Sequence, residues 1–192
     1  DNPGYKVLRE EAKLGHRTND TCAIAFEDMM VPATDLLGAE GRGLGIALAN
    51  LSAGRIGVAA QAVGGARAAF EAALNYAQER EAFGKPIIEH QAVAFRLADM
   101  ATKIEVGRQM YLHAAQIHDS GAPSLKEASM AKLFASDMAE TVASDALQTF
   151  GGYGYLEDFP VAKILRDVRV YRIYEGTNDI QKIVISRALA SS

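Results

Sequence analysis

The sequence has no tryptophan, five prolines and one cysteine, Cys22. A single cysteine forbids any disulfide within the chain. The chain therefore reads as intracellular, or at least as independent of an oxidising compartment. A lone cysteine is most often a small buried apolar residue. Neither sign of charge dominates, with 20 Lys and Arg against 24 Asp and Glu and a net charge of −4, so neither nucleic acid nor an anionic membrane surface is expected as a partner. No unbroken apolar run reaches the roughly 20 residues that cross a bilayer, so no membrane span is expected. The four histidines, His16, His90, His113 and His118, have no metal-ligand spacing; the last two are five apart, on different sides of a helix. No metal site is expected, and no Ser/His/Asp or Cys/His arrangement suggests itself. No signal peptide is visible. The start Asp1-Asn2-Pro3-Gly4 lacks a methionine, which points to a processed chain or a cut piece.

What is present is ordinary for a soluble globular protein: 49% hydrophobic and 23% charged residues over 192 positions. That length suits one domain with a real core, or one domain plus a piece of another. The composition changes near residue 40. Before it, Tyr5 to Leu8 and Thr21 to Phe26 are short strand-like runs, punctuated by Gly15, Asn19, Asp20 and Pro32. Two or three strands need a partner surface, so residues 1–40 look like the end of something larger.

From Gly43 the spacing becomes helical. One stripe runs Leu44, Leu48, Leu51, Arg55, Ala59, Val63, Ala66, Phe70, Leu74, Ala77, on a helix about 50 Å long. A second runs Val93, Leu97, Met100, Ile104, Gly107, Tyr111, Ala114. A third runs Ala128, Ala131, Ala135, Met138, Val142, Ala146, with Ser124 and Glu127 as a capping box and Gly151-Gly152 as the stop. A shorter, turn-rich piece covers Pro160 to Tyr174. A last helix follows Gly176, with Thr177 as N-cap and Asp179 in its first turn. The fold expected is mainly α: an up-down helical bundle over 41–192, with small residues on its seams, preceded by a short β segment.

Four places carry candidate chemistry. Arg55 interrupts an apolar stripe, where a charge is costly unless it is paired or reaches a cleft; a rim arginine or a structural ion pair would also account for it. The linker Arg80-Glu81-Ala82-Phe83-Gly84-Lys85-Pro86 carries two cations, an aromatic and a glycine. Arginine suits bidentate phosphate contact, although a polar interhelix turn is the commoner use of such a sequence. In Gln148-Thr149-Phe150-Gly151-Gly152-Tyr153-Gly154-Tyr155, three glycines in four residues let the backbone approach a ligand, and also suit a plain helix end. This is not the dinucleotide fingerprint, and no strand precedes it. In Ile173-Tyr174-Glu175-Gly176-Thr177-Asn178-Asp179, a carboxylate lies just before a glycine that breaks one helix and opens another. Such a corner can aim a base into a dry cleft. A surface glutamate paired with Arg172 is the plainer reading.

Together these segments resemble the acyl-CoA dehydrogenases, from Lys13-Leu14-Gly15 to the C-terminus. The marks are Phe26-Glu27-Asp28 with Val31-Pro32, Leu37-Gly38 with Gly41 and Gly43, Gly54-Arg55-Ile56, Arg80 with Phe83-Gly84-Lys85 and Gln91, Gly151-Gly152-Tyr153-Gly154, Arg166-Asp167, and Tyr174-Glu175-Gly176-Thr177. The resemblance implies that residues 1–40 end the family's middle β-domain and that 41–192 form its C-terminal helical domain. The N-terminal domain and most of the β-domain would lie outside this chain.

The resemblance further implies α,β-dehydrogenation of an acyl-CoA thioester. Glu175 would take the α-proton, and its backbone N–H, with a flavin ribityl hydroxyl, would polarise the thioester carbonyl. FAD would be contacted by Arg80, Glu81, Ala82, Phe83, His90 and Gln91, by Gln148, Thr149, Phe150, Gly151 and Gly152, and by Thr177, Asn178 and Asp179. Relatives often have Gln where this chain has Asp179. The substrate would meet Ser52, Ala53, Gly54, Arg55, Tyr174 and Gly176. Some relatives place the base just before the arginine of the long helix; that position is Gly54 here, so the chain is similar to short-, medium- or short-branched-chain enzymes. A homo-oligomer, a dimer of dimers, and electron-transferring flavoprotein as acceptor are also implied, as is a cytoplasmic site in a bacterium or a mitochondrial matrix site in a eukaryote. A non-enzymatic paralogue, or another flavin oxidase on the same scaffold, would share these features. The isolated chain is expected to be folded but inactive.

Overall fold

The structure, a computed structural model, describes residues 2–191; Asp1 and Ser192 lie outside it. The chain divides into two compact units, Asp1–Asn50 and Leu51–Ser192. In the first, β1 (Tyr5–Glu10) and β2 (Cys22–Phe26) pair antiparallel, with Tyr5 opposite Phe26 and Glu10 opposite Cys22. The register is irregular between Val7 and Arg9. The Tyr5 and Phe26 rings meet at 5.8 Å across the pair. Val7, Leu8, Ile24 and Phe26 are nevertheless exposed, as expected of two strands without a third layer. Cys22 is half-buried.

Helix α1 (Gly43–Glu79) begins in this unit. Leu44 and Leu48, expected on a buried stripe, are exposed, and the fully buried positions of α1 begin only at Arg55. Apolar spacing marks a face but cannot say over what length a neighbour covers it. By length and composition α1 is also apolar enough to cross a membrane. Asn50, Ser52 and Arg55 hide this from a search for unbroken runs.

The second unit is the helical bundle. It contains the rest of α1, α2 (Gln91–Asp119), α3 (Leu125–Phe150), α4 (Pro160–Val168) and α5 (Asn178–Ala190). Helix α3 is the central element and packs against α2, α4 and α5. Its expected stripe is fully inside: Ala128, Ala131, Ala135, Met138, Val142 and Ala146 are all buried. From α1, Ala59, Ala62, Ala66, Ala69, Ala73 and Ala77 join the same core, with Leu97, Met100 and Ile104 of α2. Alanine at these buried positions fills the core and costs no side-chain entropy. Tyr76 and Phe150 stack at 4.2 Å and close one end of this core.

Ser124 stands at the N-cap of α3, but the capping box does not form. Its hydroxyl is 3.2 Å from His118 Nδ1, and Glu127 pairs with Lys126 at 3.1 Å. Thr177 does cap α5, accepting from the Ile180 N–H at 3.4 Å. The segment between α1 and α2 is more ordered than a polar linker. β3 (Glu81–Ala82) and β4 (Lys85–Pro86) form a hairpin around Phe83 (φ 54°) and Gly84 (φ 79°). Two successive positive φ angles are those of the tight turn whose twist matches antiparallel strands.

Candidate active site

The Tyr174-Glu175-Gly176 corner follows a short 3-10 turn, Arg169–Arg172, and precedes α5. Glu175 has φ 53° and Gly176 φ 85°. A left-handed glutamate is uncommon and costs about 1 kcal/mol or more, so its surroundings must hold it there. Gln181 on α5 does part of this, donating through Nε2 to the Glu175 carbonyl (3.1 Å) and the Gly176 carbonyl (2.9 Å). Lys132 on α3 does the rest, donating to the Gly176 carbonyl at 2.8 Å and to Asn178 Oδ1 at 3.0 Å.

The result is a carboxylate aimed at α1. A methyl group added at Gly54 would lie 2.6 Å from Glu175 Oε2 and 3.0 Å from Oε1, so the glutamate fills the space that a side chain at 54 would need. Oε2 is buried and has no hydrogen-bond partner. Beside it, Arg55 is buried, donates from Nη1 to Ser129 Oγ at 3.1 Å, and leaves Nε unpartnered. Burial lowers the Arg55 pKa, and the attraction of Glu175 works against that shift. Tyr174 donates to Gln61 Oε1 at 2.6 Å, and its phenol is pushed up by burial and by the nearby Tyr171 and Glu175 charges. Arg172 turns away from Glu175 and pairs with Asp137 (2.6 Å) and Glu140 (2.7 Å). The reading of Glu175 as a surface partner of Arg172 does not hold.

A second group forms a cleft of about 440 Å³ at the other end of α3. Arg80, Thr149, Phe150, Gly151 and Gly152 line it, with Tyr76 and Tyr153. The Arg80 guanidinium sits 5.6 Å from the centre of the Tyr153 ring. On the hairpin, Glu81 is exposed and Ala82 half-buried, with its carbonyl 3.0 Å from His90 Nε2. Phe83 is almost fully exposed, edge-on to His90, while Gln91 and Gln148 are exposed.

The match over residues 41–190 is to the family model described as acyl-CoA dehydrogenase, C-terminal domain. The chain belongs to the acyl-CoA dehydrogenase family. An acyl-CoA dehydrogenase of Bacillus subtilis is 51% identical over 189 residues, which are 98% of this chain and 50% of that protein. Butyryl-CoA dehydrogenase from Megasphaera elsdenii superposes with a TM-score of 0.96 at 45% identity, over 98% of this chain and 49% of that one. A chain in a structure of the electron transferring flavoprotein of Acidaminococcus fermentans gives 0.97 at 49% identity, over 100% and 50%. The chain thus spans about half the length of the relatives it matches.

Of the residues the dehydrogenase resemblance marks, the structure brings Gly54, Arg55, Tyr174, Glu175 and Gly176 together. Ser52 is half-buried and Ala53 exposed on the same helix. Thr177 is used as a cap, Asp179 is exposed and pairs with Lys182 at 3.2 Å, and the Asn178 side chain turns inward to Lys132, Ser136 and Asp137. Ser129, Lys132, Gln61 and Gln181 were not legible as site residues. The one available signal was spacing: Lys132 is four residues from Ala128, on the buried side of α3.

Proposed function

We propose that the full-length protein is an FAD-dependent acyl-CoA dehydrogenase in which Glu175 removes the α-proton of an acyl-CoA thioester. The observation that carries this reading is the buried, unpartnered Glu175 Oε2, held on a left-handed corner against the gap at Gly54. A carboxylate oxygen without a donor is free to accept a proton from substrate. Among the described residues no hydrogen bond takes up the Glu175 backbone N–H, which leaves it for the thioester carbonyl as negative charge builds there. Arg55 and Lys132 add positive charge around the same carboxylate.

The cleft at the end of α3 fits a flavin nucleotide in chemistry: Arg80 for phosphate, Tyr76 and Tyr153 for a planar ring, and Gly151-Gly152 for close backbone approach. His90, Gln91 and Gln148 are proposed to complete these contacts, to the FAD of a neighbouring subunit; the Thr177–Asp179 turn, bonded to α3 at Lys132 and Ser136 and so about 20 Å or more from Gly151, is proposed to touch the FAD that serves Glu175. Glu175 would take the α-proton as the Cα–Cβ double bond forms, and FAD held beside that corner would supply the acceptor for the β-hydrogen with its electron pair. Electron-transferring flavoprotein is the proposed acceptor, a dimer of dimers the proposed assembly, and the cytoplasm or mitochondrial matrix the proposed location. Residues 1–40 are proposed to end a middle β-domain, with 41–192 as the C-terminal domain.

The test is flavin bleaching by butyryl-CoA and longer acyl-CoAs in the full-length protein. Glu175→Gln should keep FAD and bind acyl-CoA but lose flavin reduction by roughly 10²- to 10⁴-fold. Near-normal bleaching in that variant removes Glu175 from the mechanism. A wild type that holds FAD but is bleached by no acyl-CoA identifies a non-enzymatic paralogue or a different flavin oxidase. Residues 1–192 alone should fold yet show no turnover, because water is not excluded from half a site.

A further inference from the structure

We propose that Lys132 is a positioning residue for the Glu175 base, anchoring the Gly176 carbonyl so that the left-handed corner keeps the carboxylate against Gly54. This rests on the reading of Glu175 as the base.

Lys132 is fully buried in the first half of α3, among Ala128, Ser129, Ala135 and Ser136 one turn away on either side. A buried ammonium is costly and needs partners. Its two hydrogen bonds go to the turn after the base: the Gly176 carbonyl and Asn178 Oδ1. Asn178 is itself fixed, accepting from Ser136 Oγ at 3.1 Å and donating to Asp137 Oδ1 at 2.9 Å. Asp137 continues to Arg172, and Arg172 to Glu140. The lysine thus ties the corner, with its strained Glu175, to the central helix of the bundle through a chain of bonds. Gln181, on α5, reaches the same corner. The carbonyl of Gly176 is gripped by both residues. Neither is shown hydrogen-bonded to the Glu175 carboxylate, so each acts through the backbone. The positive φ at Glu175 gives the corner a reason to relax if one grip is lost.

A role confined to stability would lower the yield or Tm of the protein without slowing the chemical step in the folded fraction. A positioning role separates binding from chemistry. The experiment uses the full-length, FAD-loaded enzyme and stopped-flow reduction by butyryl-CoA, with wild type, Glu175→Gln, Lys132→Met, Lys132→Gln and Gln181→Met. Lys132→Met keeps the length of the side chain and leaves both former partners bonded, to Gln181 and Ser136. We expect the rate constant of flavin reduction to fall about 10- to 100-fold, with the butyryl-CoA dissociation constant within about threefold, because small displacements of a base cost that much. Lys132→Gln, which can still donate to the Gly176 carbonyl, should recover at least a third of the lost rate on a logarithmic scale. Gln181→Met should show the same split, and stands in should Lys132→Met fail to fold. Full-rate reduction in the folded Lys132 variants, or in Gln181→Met if only that variant folds, overturns the proposal. So does a loss confined to the dissociation constant. If Glu175→Gln is reduced at the wild-type rate, the base assignment itself is wrong, whatever the lysine variants do.

Discussion

Gly54→Ala is the sharpest probe of the site, because the structure separates its effect on folding from its effect on chemistry. Gly54 lies inside α1, where alanine is favoured over glycine by about 0.8–1 kcal/mol of helix propensity. The added methyl would lie 2.6 Å from Glu175 Oε2, against an ordinary contact of 3.4 Å or more. The group in the way is the far end of a flexible side chain, so the fold gives way there and not in the backbone. The carboxylate must retreat by about 0.8 Å. A misplacement near 1 Å can cost about a hundredfold in rate, so we expect flavin reduction to slow about 10- to 100-fold, which is about 1.4–2.8 kcal/mol of barrier. The melting temperature should stay level or rise. Stopped-flow bleaching by butyryl-CoA and calorimetry on the same full-length preparation measure both. A wild-type rate in a folded Gly54→Ala enzyme would show that the carboxylate works from another position and would refute the geometry. A large drop in Tm would refute the claim that the strain is taken up by the glutamate.

Two further outcomes follow from named contacts. Arg80→Ala should weaken FAD retention by roughly 10- to 100-fold in the full-length protein, the worth of a charged hydrogen bond, read from flavin loss on dialysis. Lys132 has its pKa lowered to about 8 by burial, with Asp137 and Glu175 opposing and Arg55 and Arg172 adding to the shift. The unfolded chain then binds more protons than the folded one between about pH 8 and the ordinary lysine value near 10.4, so the urea stability of wild type should rise across that window relative to Lys132→Met.

Much of the bundle was legible because periodicity reports burial directly. Every residue of the α3 stripe and most of the α2 stripe are inside. Spacing failed where burial depends on which neighbour is present, as at Leu44 and Leu48. It also failed where a side chain has competing partners, as at Ser124, whose hydroxyl goes to His118 instead of the helix end. Glu175 stood out from its neighbour Gly176. The groups that hold it did not, because Lys132 and Gln181 come from helices 43 and 6 residues away along the chain and meet only in the fold. The hairpin at Phe83-Gly84 was hidden because only a glycine follows an aromatic, without the Asn or Asp that usually marks such a turn.

The fully buried alanines that α1 and α3 place in the core limit how this domain can drift in sequence. A core of large residues can exchange Leu for Met or Ile and repack. A core of alanines has almost no such neutral neighbours. Any longer side chain must displace its packed neighbours, and glycine is the only smaller choice, at a helix cost of about 1 kcal/mol. Variation in a lineage carrying this core is therefore steered outward, to loops and to exposed faces. The central helices can change little, and the corner that carries Glu175 is tied to one of them.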